Sequence, residues 1–261
     1  MQKHEFQHIK SLIANYMATL SLSEVKLELA NKGLLTRNMK LMKGEKLNHG
    51  LEMIPSVLSG QNLCEGAGAC KYSCLAFSGV INVLRSKKIL TDEALSDAIK
   101  MKARKTFVFL NDRAWFNALL RSEIEHTASK ATLVGADCYF RLNVTTDIDW
   151  SAFVAEMPHI QFYDYTKVWT RQSTLNHHLT FSASELTPIS LILQKVAMGE
   201  NVAMVFAANS LPESYEGFRV IDGDVSDDRS SDPKGVIVGL RLKATQGGKD
   251  MDSTFAFKAV A

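Results

Sequence analysis

The sequence lacks any uninterrupted apolar run of the roughly 20 residues that a helix needs to cross a bilayer. Near the amino terminus, apolar side chains such as Ile9, Leu12 and Ile13 recur at helical spacing with Lys10 between them. This pattern predicts an amphipathic helix, and neither a signal peptide nor a membrane span. We therefore expect a cytoplasmic protein that binds no membrane.

An excess of one charge sign is also missing. Lys and Arg number 30 against 28 Asp and Glu, a net charge of +2, so bulk charge argues neither for nor against a nucleic-acid partner. The hydrophobic share of 46% and the charged share of 22% are ordinary for globular proteins. These values exclude a disordered, collagen-like or coiled-coil chain. The sequence shows no internal repeat and no low-complexity linker, which favours one large α/β domain.

Cysteine is scarce, but three of the four cysteines, Cys64, Cys70 and Cys74, fall within eleven residues. The segment EGAGA between the first two contains only small residues after its glutamate, which lets the backbone fold around an inorganic cluster and point N–H groups at sulfide. Cys70 and Cys74 are four residues apart and would share one face of an incipient helix. We predict that the three thiolates hold an iron–sulfur cluster of the four-iron form (4Fe-4S) with one iron left open.

Two other interpretations of the cysteines stay open. Structural zinc needs a fourth ligand, and since no C-x2-C pair or nearby His-x3-His is present, Cys138 or His177 would have to complete the site. In the second interpretation the three cysteines are unrelated buried thiols, since free cysteine often packs as a small apolar side chain.

Strand and helix patterns alternate along the chain. A short strand over 50–56 leads into the cysteine segment, and helical spacing prevails over 75–126, with an N-cap at Thr91. Helical patterns follow at 149–157 and 186–201. Six further strands are predicted at 137–145, 159–167, 177–183, 202–208, 218–224 and 235–244. We predict an α/β fold, an open or partial (β/α) barrel of about six mostly parallel strands, with a helical extension over 1–44 and the α/β domain over 45–261.

Polar residues follow three of these strands, where an α/β sheet carries its active groups. We assign Asp147 and Lys167 as catalytic residues. Cofactor-binding roles are assigned to Arg141, Asn143, Asp164 and Ser182. All six are expected to line one cavity that opens on the cluster, although Asp164 and Lys167 point to opposite faces of a regular strand.

Structural roles are the alternatives at these positions. Asp147 is also a candidate N-cap of the helix that follows it, and Arg141 a candidate ion-pair partner of Asp164 on the next strand. Lys167 is otherwise a solvated strand end. The polar segment 222–235, with Asp222, Asp224 and Asp228, would close the cavity, bind a cation or form a solvated turn.

The ordered set of motifs resembles an uncharacterised phage and plasmid family called gene product 88. The set comprises the cysteine cluster, RLNVTTDIDW, FYDYTK, HLTFSASE and the DGD segment before GVIVGLRLKA, and the resemblance covers residues 45–257. More distantly the chain is similar to phage proteins of the radical S-adenosylmethionine type. That likeness implies a cluster whose open iron binds S-adenosylmethionine. The spacing here, C-x5-C-x3-C, departs from the C-x3-C-x2-C of that type, and no GGE-type segment is present.

Three classes of function follow. The first is an iron–sulfur enzyme acting on a small molecule, and the second is a nucleic-acid-binding phage protein in which the metal site is structural. Basic residues at Arg85, Lys87, Lys88, Lys100, Lys102, Arg104 and Lys105, with Trp115 and Phe116 nearby, favour the second class or form a solvated face. The third class, a protein that only binds a host factor, would not need three clustered cysteines.

Overall fold

The fold is taken from a computed structural model that describes residues 2–37, 47–74, 76, 95–242 and 256–258. Its helices are α1 (Lys3–Ala18), α2 (Leu22–Lys32), α3 (Asp97–Asn111), α4 (Arg113–Leu133), α5 (Ser151–Ala155) and α6 (Ile189–Ala197), with a short 3-10 helix over Ala69–Ser73. Its strands are β1 (Leu35–Thr36), β2 (Leu47–Leu51), β3 (Cys138–Arg141), β4 (Gln161–Thr166), β5 (His177–Ser182), β6 (Val202–Phe206), β7 (Ser214–Tyr215), β8 (Phe218–Asp222) and β9 (Ile237–Arg241).

The strands form one open sheet in the order β1-β2-β3-β4-β5-β6-β9-β8-β7. Pairing is parallel from β2 through β6 and on to β9 and β8, and antiparallel only at the two ends, β1 with β2 and β7 with β8. The predicted mostly parallel α/β fold is confirmed. The predicted strand number is wrong, since the described part has nine strands rather than about six. The sheet is not closed, and the partial barrel is not confirmed.

The predicted amphipathic helix is confirmed as α1, which buries Phe6, Ile9, Leu12, Ile13 and Tyr16. This face packs with residues of α3 and of the segment after β2 in one apolar cluster. None of the described helices is both long enough and apolar enough to traverse a bilayer.

The helical pattern after residue 95 is two helices, divided at Asp112. This residue ends α3 and caps α4, because its carboxylate accepts the backbone N–H of Trp115 at 3.1 Å. The N-cap predicted at Thr91 lies outside the described residues.

Consecutive strands from β2 to β6 are neighbours, so the right-handed crossovers that join them all lie on one face, called here the outer face. On this face Phe140 and Phe162 pack with residues of α3, α4 and α5, and Phe181 packs with residues of α6. The outer face therefore holds most of the apolar core.

The strand order reverses after β8, since β9 lies between β6 and β8. A right-handed crossover that runs backwards along the sheet must lie on the opposite, inner face. The connecting segment 223–236, called here the inner crossover, does so. Its Asp227 forms a buried ion pair with Arg141, which follows Phe140 in β3 and points to the inner face.

Candidate functional site

A cavity of about 250 Å³ opens at the carboxyl-terminal edge of β3, β4 and β5, and is called here the cysteine cavity. It is lined by all three clustered cysteines and by five of the six polar residues predicted at strand ends. These are Cys64, Cys70, Cys74, Arg141, Asn143, Asp147, Lys167 and Ser182. The volume lies just below the roughly 300–1,000 Å³ of small-molecule pockets, so the cavity suits a small ligand.

The cysteine segment is anchored to the sheet edge at three points. The backbone N–H of Asp147 donates to the carbonyl of Leu63 at 2.8 Å, beside a parallel bridge between Cys64 and Asp147. Glu65 forms an ion pair with Arg171 at 3.0 Å, and the N–H of Ala69 donates to the Glu185 carboxylate. Loops after β3, β4 and β5 thus hold the thiols in place.

Two glycines let the segment approach the sheet closely. A Cβ on Gly66 would lie 2.5 Å from the Lys167 Cβ, and one on Gly68 would lie 2.0 Å from the Glu185 Oε1. The small residues of EGAGA therefore bring the loop against the ends of β4 and β5.

All three thiols are buried enough that desolvation raises their pKa, that of Cys64 to about 12. Each sulfur also receives a backbone hydrogen bond, which offsets part of this rise. The N–H of Ser56 donates to Cys64 Sγ at 3.1 Å, that of Gly68 to Cys70, and that of Ala76 to Cys74. The site thus offers three protonated thiols, each with an N–H donor aimed at its sulfur.

Asp147 is held from both oxygens. Its Oδ1 accepts from the Arg171 guanidinium at 2.6 Å, and its Oδ2 accepts from the Lys167 backbone N–H at 2.8 Å. Burial is the main influence on this carboxyl and raises its pKa, while the Lys167 N–H and Arg171 act to lower it. Asp147 is not an N-cap, since Asp149 accepts the N–H of Ser151 at the start of α5.

Arg171 was missed by sequence reasoning. It joins Glu65 on the cysteine segment to Asp147 after β3 and to Thr166 at the end of β4. It lies in a predicted loop with no local pattern, so no signal in the sequence distinguished it from a solvated arginine.

Lys167 is the lysine among the six polar residues predicted at strand ends, and its Nζ lies 3.3 Å from Ser182 Oγ. Within the described ranges, no carboxylate lies at ion-pair distance from this ammonium group. Its charge acts on Cys70, where it lowers the thiol pKa that burial raises. Lys167 lines the cavity, so the alternative of a solvated strand end does not hold.

Arg141 pairs with Asp227 of the inner crossover and not with Asp164, so the alternative of a cross-strand ion pair with Asp164 does not hold. Its guanidinium also lies 4.8 Å from the ring centre of Tyr165. Because Asp227 compensates its charge, Arg141 is a wall of the cavity whose position is fixed from the inner face.

Asp164 lies on the outer face, outside the set that lines the cysteine cavity. It accepts the backbone N–H of Asn143 at 2.7 Å and contacts His177 at 3.1 Å. The Asn143 side chain lines the cavity, but its amide group is already hydrogen-bonded to Thr146 and Ile148, and these bonds shape the loop after β3. The prediction that all six polar residues share one cavity is therefore wrong for Asp164.

The two residues proposed to complete a zinc site lie elsewhere. Cys138 begins β3, at the edge opposite the cysteine segment, and His177 is buried against Asp164 on the outer face. In the described part of the chain, no three His, Cys, Asp or Glu side chains are arranged to hold a single metal ion.

The basic side chains of α3 form contacts with other groups of the protein. Lys102 pairs with Glu52, Arg104 pairs with Glu28, and the buried Lys105 ammonium donates to the Leu34 carbonyl at 2.6 Å. The expected solvated face is wrong for Lys105, and Arg85, Lys87 and Lys88 lie outside the described residues.

The acidic segment after β8 has structural partners. Asp222 and Asp224 both form ion pairs with Arg241 on β9, so the solvated acidic turn predicted there is tied to the sheet. Asp228 is buried on the inner crossover.

The family model described as Gene product 88 matches residues 25–259, which begins twenty residues earlier than the resemblance read from the motifs. No curated protein and no solved structure matches the chain.

Proposed function

This chain belongs to the gene product 88 family, and we propose that it is an iron–sulfur enzyme acting on a small molecule. Cys64, Cys70 and Cys74 hold the cluster in this proposal, and Lys167 and Ser182 on the facing wall bind the ligand. One observation carries it. Side chains more than 100 residues apart in sequence line one cavity with the three thiols.

The donor set fits an iron–sulfur cluster. Thiolate is the ligand that such clusters take, and hydrogen bonds to the sulfurs tune their potentials. A backbone N–H reaches each of the three cysteine sulfurs. Three ligands leave one iron of a 4Fe-4S cluster open, and when bound such a cluster supplies one-electron chemistry and a coordination site for a second molecule.

The protein's own residues set the ligand class. Arg141 is compensated by Asp227 and Arg171 by Asp147, whereas the Lys167 ammonium contacts, among the described residues, the Ser182 hydroxyl and no carboxylate. The cavity therefore offers an ammonium and a hydroxyl to an anionic group of the ligand. The carboxylate of S-adenosylmethionine is the group that the distant radical-type likeness implies, and Asp147 acts here as a positioning residue that fixes the Lys167 backbone.

Metal content tests the first half of the proposal. Anaerobically purified protein should contain iron and acid-labile sulfide, about four of each per chain. Cys64→Ala, Cys70→Ala and Cys74→Ala should each lose most of this iron, because three thiolates are the whole ligand set.

Cys138→Ala is the matched control, since this half-buried thiol lies at the opposite sheet edge and should leave the iron content unchanged. If the protein contained zinc and no sulfide, the site would hold a structural metal ion instead of a cluster. A protein free of both metals, or equal iron loss in Cys138→Ala, would overturn the proposal.

Ligand binding tests the second half. Calorimetry with S-adenosylmethionine on the iron-loaded protein should give a saturable heat. Lys167→Met should weaken binding about 10- to 100-fold, the equivalent of losing one charged hydrogen bond of about 1.5–3 kcal/mol.

Lys130→Met, an exposed lysine on α4, is the control for the general effect of removing a positive charge and should bind as the parent does. Equal affinity in the parent and Lys167→Met would remove Lys167 from the site. No heat with any form would leave the cluster in place and discard S-adenosylmethionine as its ligand.

A further inference from the structure

A second cavity, of about 290 Å³, lies over the outer face of β4 and β5 and is called here the outer cavity. It shares only Asn143 and Thr166 with the cysteine cavity. Its origin is the connection between the two strands. Parallel strands are usually joined through a helix, but residues 167–176 cross from β4 to β5 as a loop, which leaves room beneath it.

The floor of the outer cavity includes an indole with an unused donor. Trp150 is 1% exposed and lines the cavity, and its Nε1–H has no hydrogen-bond partner among the described residues. The ring is fixed in place, since it packs edge-on against Phe109 and Phe153 and carries the Arg113 guanidinium 4.7 Å from its centre. An unpaired buried donor costs about 1–3 kcal/mol, so a ligand oxygen that paired with this N–H would remove that cost.

His177 supplies an acceptor on the same floor. Its Nε2 lies 3.1 Å from Asp164 Oδ2, while Asp164 Oδ1 accepts the N–H of Asn143 at 2.7 Å. A carboxylate oxygen is an acceptor, so this contact favours the His177 tautomer whose Nε2 donates to Asp164. The lone pair on Nδ1 of His177 is then available to a ligand hydroxyl.

The rim of the outer cavity is polar and carries no uncompensated cation. Arg171, which also lines it, is taken up by Asp147 and Glu65. The remaining polar rim residues bear carboxylate, hydroxyl and amide groups: Asp149, Ser151, Thr170, Gln172 and Thr174. Such a rim accepts from and donates to hydroxyl groups and offers nothing to pair with an anion.

We propose that the outer cavity binds a neutral, hydroxyl-rich molecule about the size of one sugar ring. The Trp150 N–H donates to a ligand oxygen, a ligand hydroxyl donates to His177 Nδ1, and the rim binds the remaining hydroxyls. The volume, at the lower end of small-molecule pockets, matches one ring. This site does not depend on the proposed cluster.

The indole N–H is also the reporter for the test. The chain has three tryptophans, and their indole resonances are separable by NMR, with Trp150→Phe identifying the one of interest. D-ribose and D-glucose are added to the protein, and inorganic phosphate serves as the anionic comparison. The Trp150 resonance should move in a saturable way with at least one sugar and stay in place with phosphate, while that of Trp115 stays fixed throughout.

Adjacent histidines provide the matched variants, because His177 and His178 point to opposite faces of β5. His177→Asn should weaken sugar binding at least tenfold, and His178→Asn should leave it unchanged. Gln172→Ala, on the exposed rim, should weaken it severalfold and does not disturb the core.

Three outcomes would overturn the proposal. The first is the absence of a saturable shift with either sugar up to about 100 mM, a concentration a hundredfold above a millimolar Kd. The second is a response to phosphate alone. The third is parental affinity in both His177→Asn and Gln172→Ala. Cys64→Ala should bind sugar as the parent does, so a failure of the metal proposal and a failure of this one are separately visible.

Discussion

The two faces of the sheet use the same strands for opposite chemistry. On the outer face, Phe140 and Phe162 pack under helices, whereas on the inner face the next residues, Arg141 and Tyr163, are buried beside the charges of the inner crossover. Side-chain alternation decides which face a residue takes. What covers that face depends on the direction of the crossover. A helix-covered face can be apolar throughout, while a face covered by a loop needs compensated charges.

The largest expected effect comes from removing the partner of a buried charge on the inner face. Asp227→Ala leaves the buried Arg141 without its partner and should lower the free energy of unfolding by about 3–5 kcal/mol in urea denaturation. The double variant Arg141→Met with Asp227→Leu should recover most of the loss, because neither charge remains.

Asp222→Ala is the control, since the pair of Asp222 with Arg241 is about one third exposed on both sides and should cost less than about 1 kcal/mol. Similar losses in Asp227→Ala and Asp222→Ala would mean that the inner face tolerates an unpaired charge.

A smaller effect is expected where the cysteine segment crosses the sheet edge between the two faces. In Gly66→Ala the new Cβ meets the Cβ and backbone of Lys167, which cannot move away cheaply. We expect a loss of about 1–3 kcal/mol of stability from overpacking, together with reduced iron uptake.

Gly68→Ala is the comparison, because its new Cβ meets only the end of the flexible Glu185 side chain. It should be milder in both stability and iron content. The reverse order would show that the Ala69–Glu185 contact, and not the approach to β4, sets the position of the loop.

The last effect concerns a buried charge in the helical layer. Burial lowers the pKa of Lys105 from its ordinary 10.5 to about 8, with Glu52 and Glu123 acting against this shift. Between these two pH values the unfolded chain binds more protons than the folded chain, so this lysine makes stability rise with pH. Lys105→Met should remove that rise.

The measurement is the difference in unfolding free energy between the parent and Lys105→Met from pH 8 to about 10. Taking this difference cancels the contribution of the buried thiols, whose raised pKa values make stability fall with pH in both proteins. Lys130→Met should keep the parental slope, and a parental slope in Lys105→Met would contradict the assignment of the shift to burial.

Much of the fold was predictable because it depends on local pattern. Helical spacing located α1, and continuous apolar runs located β3 to β6, β8 and β9 within a few residues. The two-residue strands β1 and β7 were missed, since elements this short carry no periodicity. The strand predicted over 50–56 is Leu47–Leu51, because the apolar residues after it pack with helices rather than extend the sheet.

The candidate site was predictable as a set of residues but not as a set of contacts. Strand ends of a parallel sheet meet at one edge, which brought Asp147, Lys167 and Ser182 to the cysteines. Asp164 was placed wrongly because it lies on the other face of β4. Arg171 was not found, since its loop has no pattern that relates it to Glu65 or Asp147.

The sequence by itself determined the α/β alternation, the cysteine triplet after the first long strand and the polar strand ends, because each depends on neighbouring residues. Only the tertiary structure decided that Arg141 pairs with Asp227, 86 residues away, and that Lys105 is buried under Leu34. These contacts follow from the reversal of strand order after β8 and from helix packing. Both are set by the whole chain, since any local stretch is compatible with several neighbours.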